Sequence, residues 1–414
     1  MTTGTPDLNE LTAEQLRTRL LEELRGVDAV RSDPVAAAVL AVPRHVFIPE
    51  ASLVEAYAAG TAYVTKRDED GAALSSVSAA RIQAFMLEQA GIGPGMRVLE
   101  VGSGGLNAAM IQELVGPTGL VVSIDIDPDV TARARCCLAA SGYDQVLVHE
   151  GDGEYGWPPH APYDRVIITV GTWDIPPAWT DQLAPGGRIV VPLRWAGQTR
   201  SIGFDLTDDG TLASRSVQMC GFVPMQGSGA GGELTAPLDS DDARLVYDTG
   251  QPIDPDAVGT ALKRPGTTVW SGAILPRRTS IDPVWLRIAA EPGAFRIVDP
   301  GPHRGIALRT ATLVDGDSVA YLTHRPDPAN TEHAFDLELG ATGHGPRGPR
   351  LAARITELIR AWDHDRTALP QITAYPPGTP DHALGGGAVF DKRHRRLHLT
   401  YSASATSAPV GHAP

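Results

Sequence analysis

At 414 residues, with 42% hydrophobic and 20% charged residues and a formal net charge of −14, the chain reads as an ordinary soluble globular protein of two or three domains. The acidic balance argues against nonspecific nucleic-acid binding, and no apolar run approaches the roughly 18 residues of a membrane span. Cys136, Cys137 and Cys220 offer neither a disulfide framework nor zinc-like spacing, and the polar N-terminus carries no signal-peptide pattern. No metal is expected, and a cytoplasmic location is.

In chain order, the first nine residues read as frayed. Thr12-Ala13-Glu14-Gln15 reads as a capping box, and Leu16, Leu20, Leu21 and Leu24 recur behind it at helical spacing. Pro34 starts a second short helix, Asp33 to Ala41. Pro43-Arg44-His45-Val46-Phe47-Ile48-Pro49 is an irregular link. A helix is predicted over 78–90, with Ile82, Phe85 and Met86 on one face. Strands are predicted at 97–101, 120–125, 146–150, 165–170 and 187–192, and helices at 107–114, 128–140 and 178–183. This alternation predicts a mostly parallel sheet covered on both faces. Residues 201–206 and 214–222 extend it with antiparallel strands. The Gly-rich run 226–232 reads as a linker or flexible loop. Beyond it, 310–313 and 318–324 flank an Asp315-Gly316 hairpin signal, and 351–362 is an amphipathic helix. Residues 388–390 and 397–402 pair around Asp391-Lys392-Arg393-His394, and a loose tail follows Ser402.

The chemistry is carried by Val98-Leu99-Glu100-Val101-Gly102-Ser103-Gly104-Gly105, followed by Val121-Val122-Ser123-Ile124-Asp125. An apolar run ends in an acid, a glycine loop opens a helix, and a second apolar run ends in another acid. That is the shape of a nucleoside-binding βαβ unit. Three details favour S-adenosylmethionine over a dinucleotide. The position three after Gly104 is Asn107, so the loop departs from G-x-G-x-x-G. Glu100 is awkward beside a pyrophosphate but suits a ligand bearing ammonium and sulfonium cations. Gly151-Asp152-Gly153 puts a third acid at a strand's C-terminal end, where open α/β sheets bind ligands. Asp125 is therefore the candidate for the ribose hydroxyls, and Asp152 with Gly153 for the adenine. Gly102, Ser103 and Gly104 admit the cofactor closely, and Glu100 faces its methionine end. Asp127 is the second candidate for the ribose, though it suits better as the cap of the helix beginning at Pro128. A dinucleotide site and a sheet that binds nothing are the competing readings.

Several separated segments resemble protein-L-isoaspartate O-methyltransferases over roughly residues 10–225. They are Val42-Pro43-Arg44-His45-Val46-Phe47-Ile48-Pro49, Val77-Ser78-Ala79-Ala80, Leu183-Ala184-Pro185-Gly186-Gly187-Arg188 and Val190-Val191-Pro192. The resemblance implies an α/β class I methyltransferase, a Rossmann-like sheet with N-terminal helices and a C-terminal α+β extension. The family's active-site turn carries a proline where Ala80 stands, and its glycine loop is one residue longer. The extension has no counterpart expected in the repair enzymes. The short loop, Thr65-Lys66-Arg67-Asp68, Trp173-Asp174-Ile175-Pro176-Pro177 and the extension resemble a branch associated with ribosomal peptide natural products, including lanthipeptides and ω-ester peptides. That branch implies methyl esterification of an Asp in a modified precursor peptide, leading to aspartimide or isoaspartate. Repair of isoaspartyl proteins is the same-chemistry alternative. A non-catalytic, cofactor-binding scaffold for the peptide is the alternative of another class.

A carboxylate with a pKa near 4 is already ionised at neutral pH, so methyl transfer needs no general base. It needs alignment and exclusion of water. Through the family's turn, Ser78 is the candidate catalytic residue, orienting the substrate carboxylate with its hydroxyl. His45, Thr169 and Arg194, with Gln198, are candidate substrate contacts. Arg277-Arg278 and Lys392-Arg393-His394-Arg395-Arg396 are candidate grips for an acidic peptide. The expected domains are an N-terminal helical and substrate-turn region (1–80), a methyltransferase core (81–225) and the extension (226–414).

Overall fold

The computed structural model describes residues 8–238, 243–277, 279–298, 309–329 and 336–401. Residues 8–10 form a short helical turn, and both the first seven residues and the tail after Tyr401 lie outside the described residues. Thr12 caps α1 (Ala13–Gly26) as the sequence implies: its hydroxyl accepts from Gln15 N, and the Gln15 side chain accepts from Thr12 N. The four leucines are buried, and α1 packs on α2 (Asp33–Ala41). Next come α3 (Leu53–Ala56), an antiparallel hairpin of β1 (Tyr63–Arg67) and β2 (Ala73–Val77), and α4 (Ala80–Ala90). The hairpin is absent from the sequence reading because Thr-Lys-Arg carries no apolar alternation.

The alternating region follows: β3 (Arg97–Val101), α5 (Leu106–Val115), β4 (Leu120–Asp125), α6 (Pro128–Ala140), β5 (Leu147–Glu150), β6 (Tyr163–Ile168), α7 (Pro177–Asp181) and β7 (Leu183–Trp195). The strands pair in the order β5-β4-β3-β6-β7, parallel throughout. Val98-Leu99, Val121-Val122 and Val166-Ile167-Ile168 have no exposed surface, as a doubly covered sheet requires. The chain leaves β3 toward β4 on one side and later returns to β6 on the other. Loops at the C-terminal end of β3 therefore diverge and open a crevice. Beyond β7, β8 (Gln198–Leu206) and β9 (Leu212–Met219) continue the sheet antiparallel.

A second, wholly antiparallel sheet is built from β10 (Glu233–Pro237), β11 (Arg244–Asp248), β12 (Gly266–Leu275), β13 (Ala294–Val298), β14 (Arg309–Asp315), β15 (Ser318–Pro326) and β16 (Leu337–His344). Helices α8 (Pro255–Leu262) and α9 (Asp282–Ala289) lie between its strands in sequence. Helix α10 (Gly348–His364) buries Ile355, Ile359 and Trp362 and packs on β12 and β16. The chain then returns: β17 (Pro370–Tyr375) pairs with β9, and β18 (Ala388–Asp391) and β19 (Arg396–Tyr401) complete a ten-stranded sheet. The parallel arrangement predicted for this sheet thus describes its first five strands, and the other five are antiparallel.

The boundary expected at 225/226 does not isolate a C-terminal unit. One hydrophobic core contains Val191, Leu193 and Trp195 of the first sheet with Ala273, Leu286, Ile355 and Trp362 of the second region. The Gly-rich run 226–232 is packed rather than a free linker. Gly232, at φ +86°, lies on the Trp173 indole, where a Cβ would come within 1.9 Å of a ring carbon. No helix among the described residues is long and apolar enough to cross a membrane.

Candidate functional site

The crevice beyond β3 encloses about 560 Å³ between β2, α4, the glycine loop and the segment after β9. It continues into a hollow of about 390 Å³ beside Ile126, Gly153 and Met225. Leu74, Gly102, Asp125 and Val170 wall both spaces. Gly102, at φ +97°, donates its N–H to Ile124 O at 2.8 Å. A Cβ there would meet Thr169 Oγ1 at 2.5 Å, so only glycine lets the loop turn so close to β6. The Ser103 N–H donates to Asp125 Oδ2 at 2.9 Å, while the Ser103 hydroxyl is buried without a partner among the described residues. Gly104 faces open space. Gly105 starts α5 with no side-chain cap, so the first-turn N–H groups open onto the crevice as a positive helix end.

Glu100 is fully buried and accepts hydrogen bonds from Asn107 Nδ2 at 2.8 Å and from Ser123 Oγ. Burial pushes its carboxyl up to about 7; the two hydrogen bonds oppose the rise, and nearby Asp125 adds to it. A cation arriving at this wall would favour the ionised form. Asp125 accepts from Ser103 N and, through Oδ1, from Asp127 N at 3.0 Å. Burial raises its pKa as well. Its carboxylate borders both spaces, with lone pairs left for hydroxyl donors. Asp127 caps α6, accepting from Asp129 N at 2.9 Å. It also takes Lys66 Nζ at 2.6 Å, which fastens the β1–β2 hairpin to α6. Asp129 shares that ammonium at 2.7 Å.

Asp152 departs from the expected role. It borders neither space: Oδ1 accepts from Glu154 N at 3.0 Å and Oδ2 from Ser228 N at 2.8 Å. Its carboxylate fastens the 226–232 loop. Gly153 does line the hollow, with Ile126, Met225 and Gln226.

At the other end stands Ser78, between β2 and α4. Ala79 takes the N-cap position, so Ser78 is not a helix cap. Its carbonyl accepts from Arg44 Nη2 at 2.7 Å, and its hydroxyl has no hydrogen-bond partner among the described residues, on a residue that lines the crevice. Arg44 is buried and also donates to Gln83 Oε1 and to Ala56 O, each at 2.6 Å. Burial lowers its pKa to about 10, so it stays charged at neutral pH. This clamp holds the turn that the family's proline would stiffen at position 80. Sequence reasoning quoted Arg44 but assigned the role to its neighbour. His45 instead meets Tyr57 OH through Nδ1 at 2.9 Å and does not line the crevice.

Two further candidates are braces. Thr169 lines the crevice, but its hydroxyl donates to Gly102 O at 2.6 Å, spending its proton on the glycine loop. Arg194 lies outside the crevice; it donates to Phe222 O at 2.9 Å and pairs with Glu233 at 3.4 Å. Gln198 likewise donates to Trp285 O at 2.9 Å. Arg194 thereby holds the strap 222–226, which crosses the site and was missed from sequence. Gly171 N donates to Val223 O at 2.8 Å, and Met225 N to Gly171 O at 2.9 Å. The cluster at 392–396 is largely consumed internally. Lys392 lies 3.1 Å over the Trp173 ring and donates to Arg194 O, Arg395 is buried against Gly210 O and Thr180, and Arg396 pairs with Asp391 and Asp381. Arg278 lies outside the described residues.

The donor set fits a nucleoside with a zwitterionic tail. Asp125 suits paired hydroxyls, the open end of α5 suits a carboxylate, and Glu100 suits a cation. The orphaned Ser103 hydroxyl supplies a further polar contact, and Leu74, Ile126, Val170 and Met225 supply apolar walls.

Residues 14–230 match the family model described as protein-L-isoaspartate(D-aspartate) O-methyltransferase. A protein-L-isoaspartate O-methyltransferase of Methanopyrus kandleri is 38% identical over 213 residues, covering 51% of this chain and 91% of the relative. Protein-L-isoaspartate O-methyltransferase 2 of Archaeoglobus fulgidus is 36% identical over 215 residues, covering 52% of this chain and 94% of its own. One solved protein-L-isoaspartate O-methyltransferase aligns over 94% of this chain and 100% of its own, with a TM-score of 0.50 and 20% identity. That likeness is one of fold, and its span reaches well past residue 230. The extension therefore has a fold-level counterpart, against the expectation that it has none.

Proposed function

The chain belongs to the protein-L-isoaspartate O-methyltransferase family, and from that premise we propose that it esterifies an Asp side-chain carboxylate of a modified ribosomal precursor peptide, leading to aspartimide or isoaspartate. Members of this family are methyltransferases that use S-adenosylmethionine. Bound in the crevice, that cofactor supplies an electrophilic methyl group on a sulfonium. Asp125 would hold its ribose, the Gly102–Gly104 loop and the α5 end its amino-acid portion, and Ile126, Gly153 and Met225 its base.

The protein's own residues then have few tasks. The acceptor carboxylate is ionised without help at neutral pH. Ser78 donates its hydroxyl proton to one acceptor oxygen and turns the other toward the methyl carbon. Arg44 holds the Ser78 turn rigid from below. Leu74, Val77, Met86, Val170 and Phe222 wall the crevice and exclude water, the competing nucleophile.

The observation that carries the proposal is Ser78, which lines the same crevice as Asp125, with its backbone carbonyl held by Arg44 and no hydrogen-bond partner for its hydroxyl among the described residues. The precursor-peptide reading is supported by the resemblance of the short loop Gly102-Ser103-Gly104-Gly105, of Thr65-Lys66-Arg67-Asp68 and of Trp173-Asp174-Ile175-Pro176-Pro177 to the branch associated with ribosomal peptides. The relatives' names favour a second reading, repair of isoaspartyl proteins. Competition between an isoaspartyl peptide and the matched Asp-containing, modified precursor separates the two. Preferential methylation of the isoaspartyl peptide would overturn the precursor-peptide assignment.

A further inference from the structure

A second opening lies beside the acceptor end. It spans about 1260 Å³, open solvent included, and is lined by Val27, Asp28, Arg81, Met219, Asp282 and Arg309, among others. The two segments that wall the crevice at Ser78 and Phe222 run directly into it, through Arg81 three residues after Ser78 and through Gly221 next to Phe222. Its far wall belongs to the second region, through Ser280, Asp282 and Arg309.

Its chemistry is unbalanced. Arg81 and Arg309 are both exposed, and neither has an ion-pair partner among the described residues. Asp282 is neutralised by the buried Arg200, which leaves Asp28 as the one acid on the lining unpaired among the described residues. Val27 and Met219, 55% and 37% exposed, add apolar surface to the lining.

We infer that this groove seats the acceptor polypeptide on one side of the methylated residue, and that Arg81 and Arg309 select acidic side chains flanking it. The inference rests on the carboxyl-methyltransferase reading. It deepens that reading by naming the substrate class: an extended peptide with acidic and apolar neighbours around the target. Arg81 comes from the methyltransferase half and Arg309 from β14, so recognition requires both sheets.

The test uses the full-length chain and two fluorescent peptides that each carry one acceptor residue, with either acidic or neutral flanks. Binding is read by anisotropy in saturating S-adenosylhomocysteine, and methylation is read separately. The wild type should favour the acidic peptide, increasingly so as salt is lowered. In the double variant Arg81→Glu, Arg309→Glu this preference should fall about tenfold, the scale of two reversed surface charges. Unchanged S-adenosylhomocysteine affinity would show that the fold persists. The single variants Arg81→Gln and Arg309→Gln should each remove part of the preference. Equal binding of both peptides by wild type, or a preference untouched by all three variants, overturns the groove assignment even if both peptides are methylated. Charge-dependent binding without methylation of any aspartyl or isoaspartyl acceptor upholds the groove and overturns the catalytic reading instead.

Discussion

Replacing Glu100 by Gln should make the protein more stable at high pH and not at low pH. This carboxyl is fully buried, and burial outweighs the hydrogen bonds from Ser123 and Asn107, so its pKa rises from 4.5 to about 7. The folded state thus holds its proton more tightly than the unfolded chain does. As pH rises through the unfolded value, the unfolded chain ionises and folding becomes less favourable. The loss grows until the folded pKa is passed and then levels off. At 1.36 kcal/mol per unit, the shift amounts to about 3 kcal/mol. A glutamine is uncharged throughout, and its carbonyl can accept from Asn107 Nδ2 while its amide donates to Ser123 Oγ. Urea denaturation of both proteins at about pH 5 and about pH 8 measures the difference. The stability of Glu100→Gln relative to wild type should improve by about 2.5 kcal/mol across that interval, slightly less than the full shift because pH 5 already lies above the unfolded pKa. A difference that does not change with pH would refute the account of Glu100 as a carboxyl strained by desolvation. The same variant should also lose any pH-dependent tightening of S-adenosylmethionine over S-adenosylhomocysteine, since only the former carries the sulfonium charge.

Four other outcomes are expected. Ser78→Ala should lower kcat/KM by about 10- to 100-fold, the loss of one hydrogen bond to a charged group, with S-adenosylhomocysteine affinity by calorimetry unchanged; retained turnover would remove Ser78 from the reaction. Asp125→Ala should weaken S-adenosylhomocysteine binding by about 1–3 kcal/mol in the same calorimetric assay. Arg44→Lys cannot satisfy Ala56 O, Gln83 and Ser78 O together, and should cost about 2 kcal/mol in urea melts while lowering kcat more than it raises KM. Removing all residues after 230 should leave an aggregating product, because β9 loses its partner β17 and the shared core is opened; a soluble fragment that unfolds cooperatively by circular dichroism would contradict this.

The parallel half of the fold is legible because its strands announce themselves. Residues 97–101, 120–125 and 128–140 have the same bounds in sequence and structure, since buried parallel strands are continuous apolar runs and Asp127-Pro128 marks a helix start. The hairpin around Asp315-Gly316 is equally plain. What stays hidden depends on contacts between distant segments. Lys66 reads as a loop charge until Asp127 and Asp129 stand beside it. The glycine-rich composition of 226–232 suggests freedom, yet Asp152 and Trp173 hold that segment in place. Asp152 itself shows that a strand-end acid can serve a neighbouring loop, which no local pattern reveals. Within Pro43-Arg44-His45, the more chemically suggestive residue is the less important one. His45 finds a tyrosine, and Arg44 finds the Ser78 carbonyl.

The return of β17, β18 and β19 to the first sheet has a consequence for how the protein is made. Strands β3 to β9 leave the ribosome early, but the strand that covers β9 follows only after the entire second sheet. During synthesis the methyltransferase half therefore waits with one flank unpaired, while the hairpins of the second sheet assemble locally in sequence. These three strands act as a closing stitch, so completion of the catalytic sheet waits on synthesis of the whole second sheet.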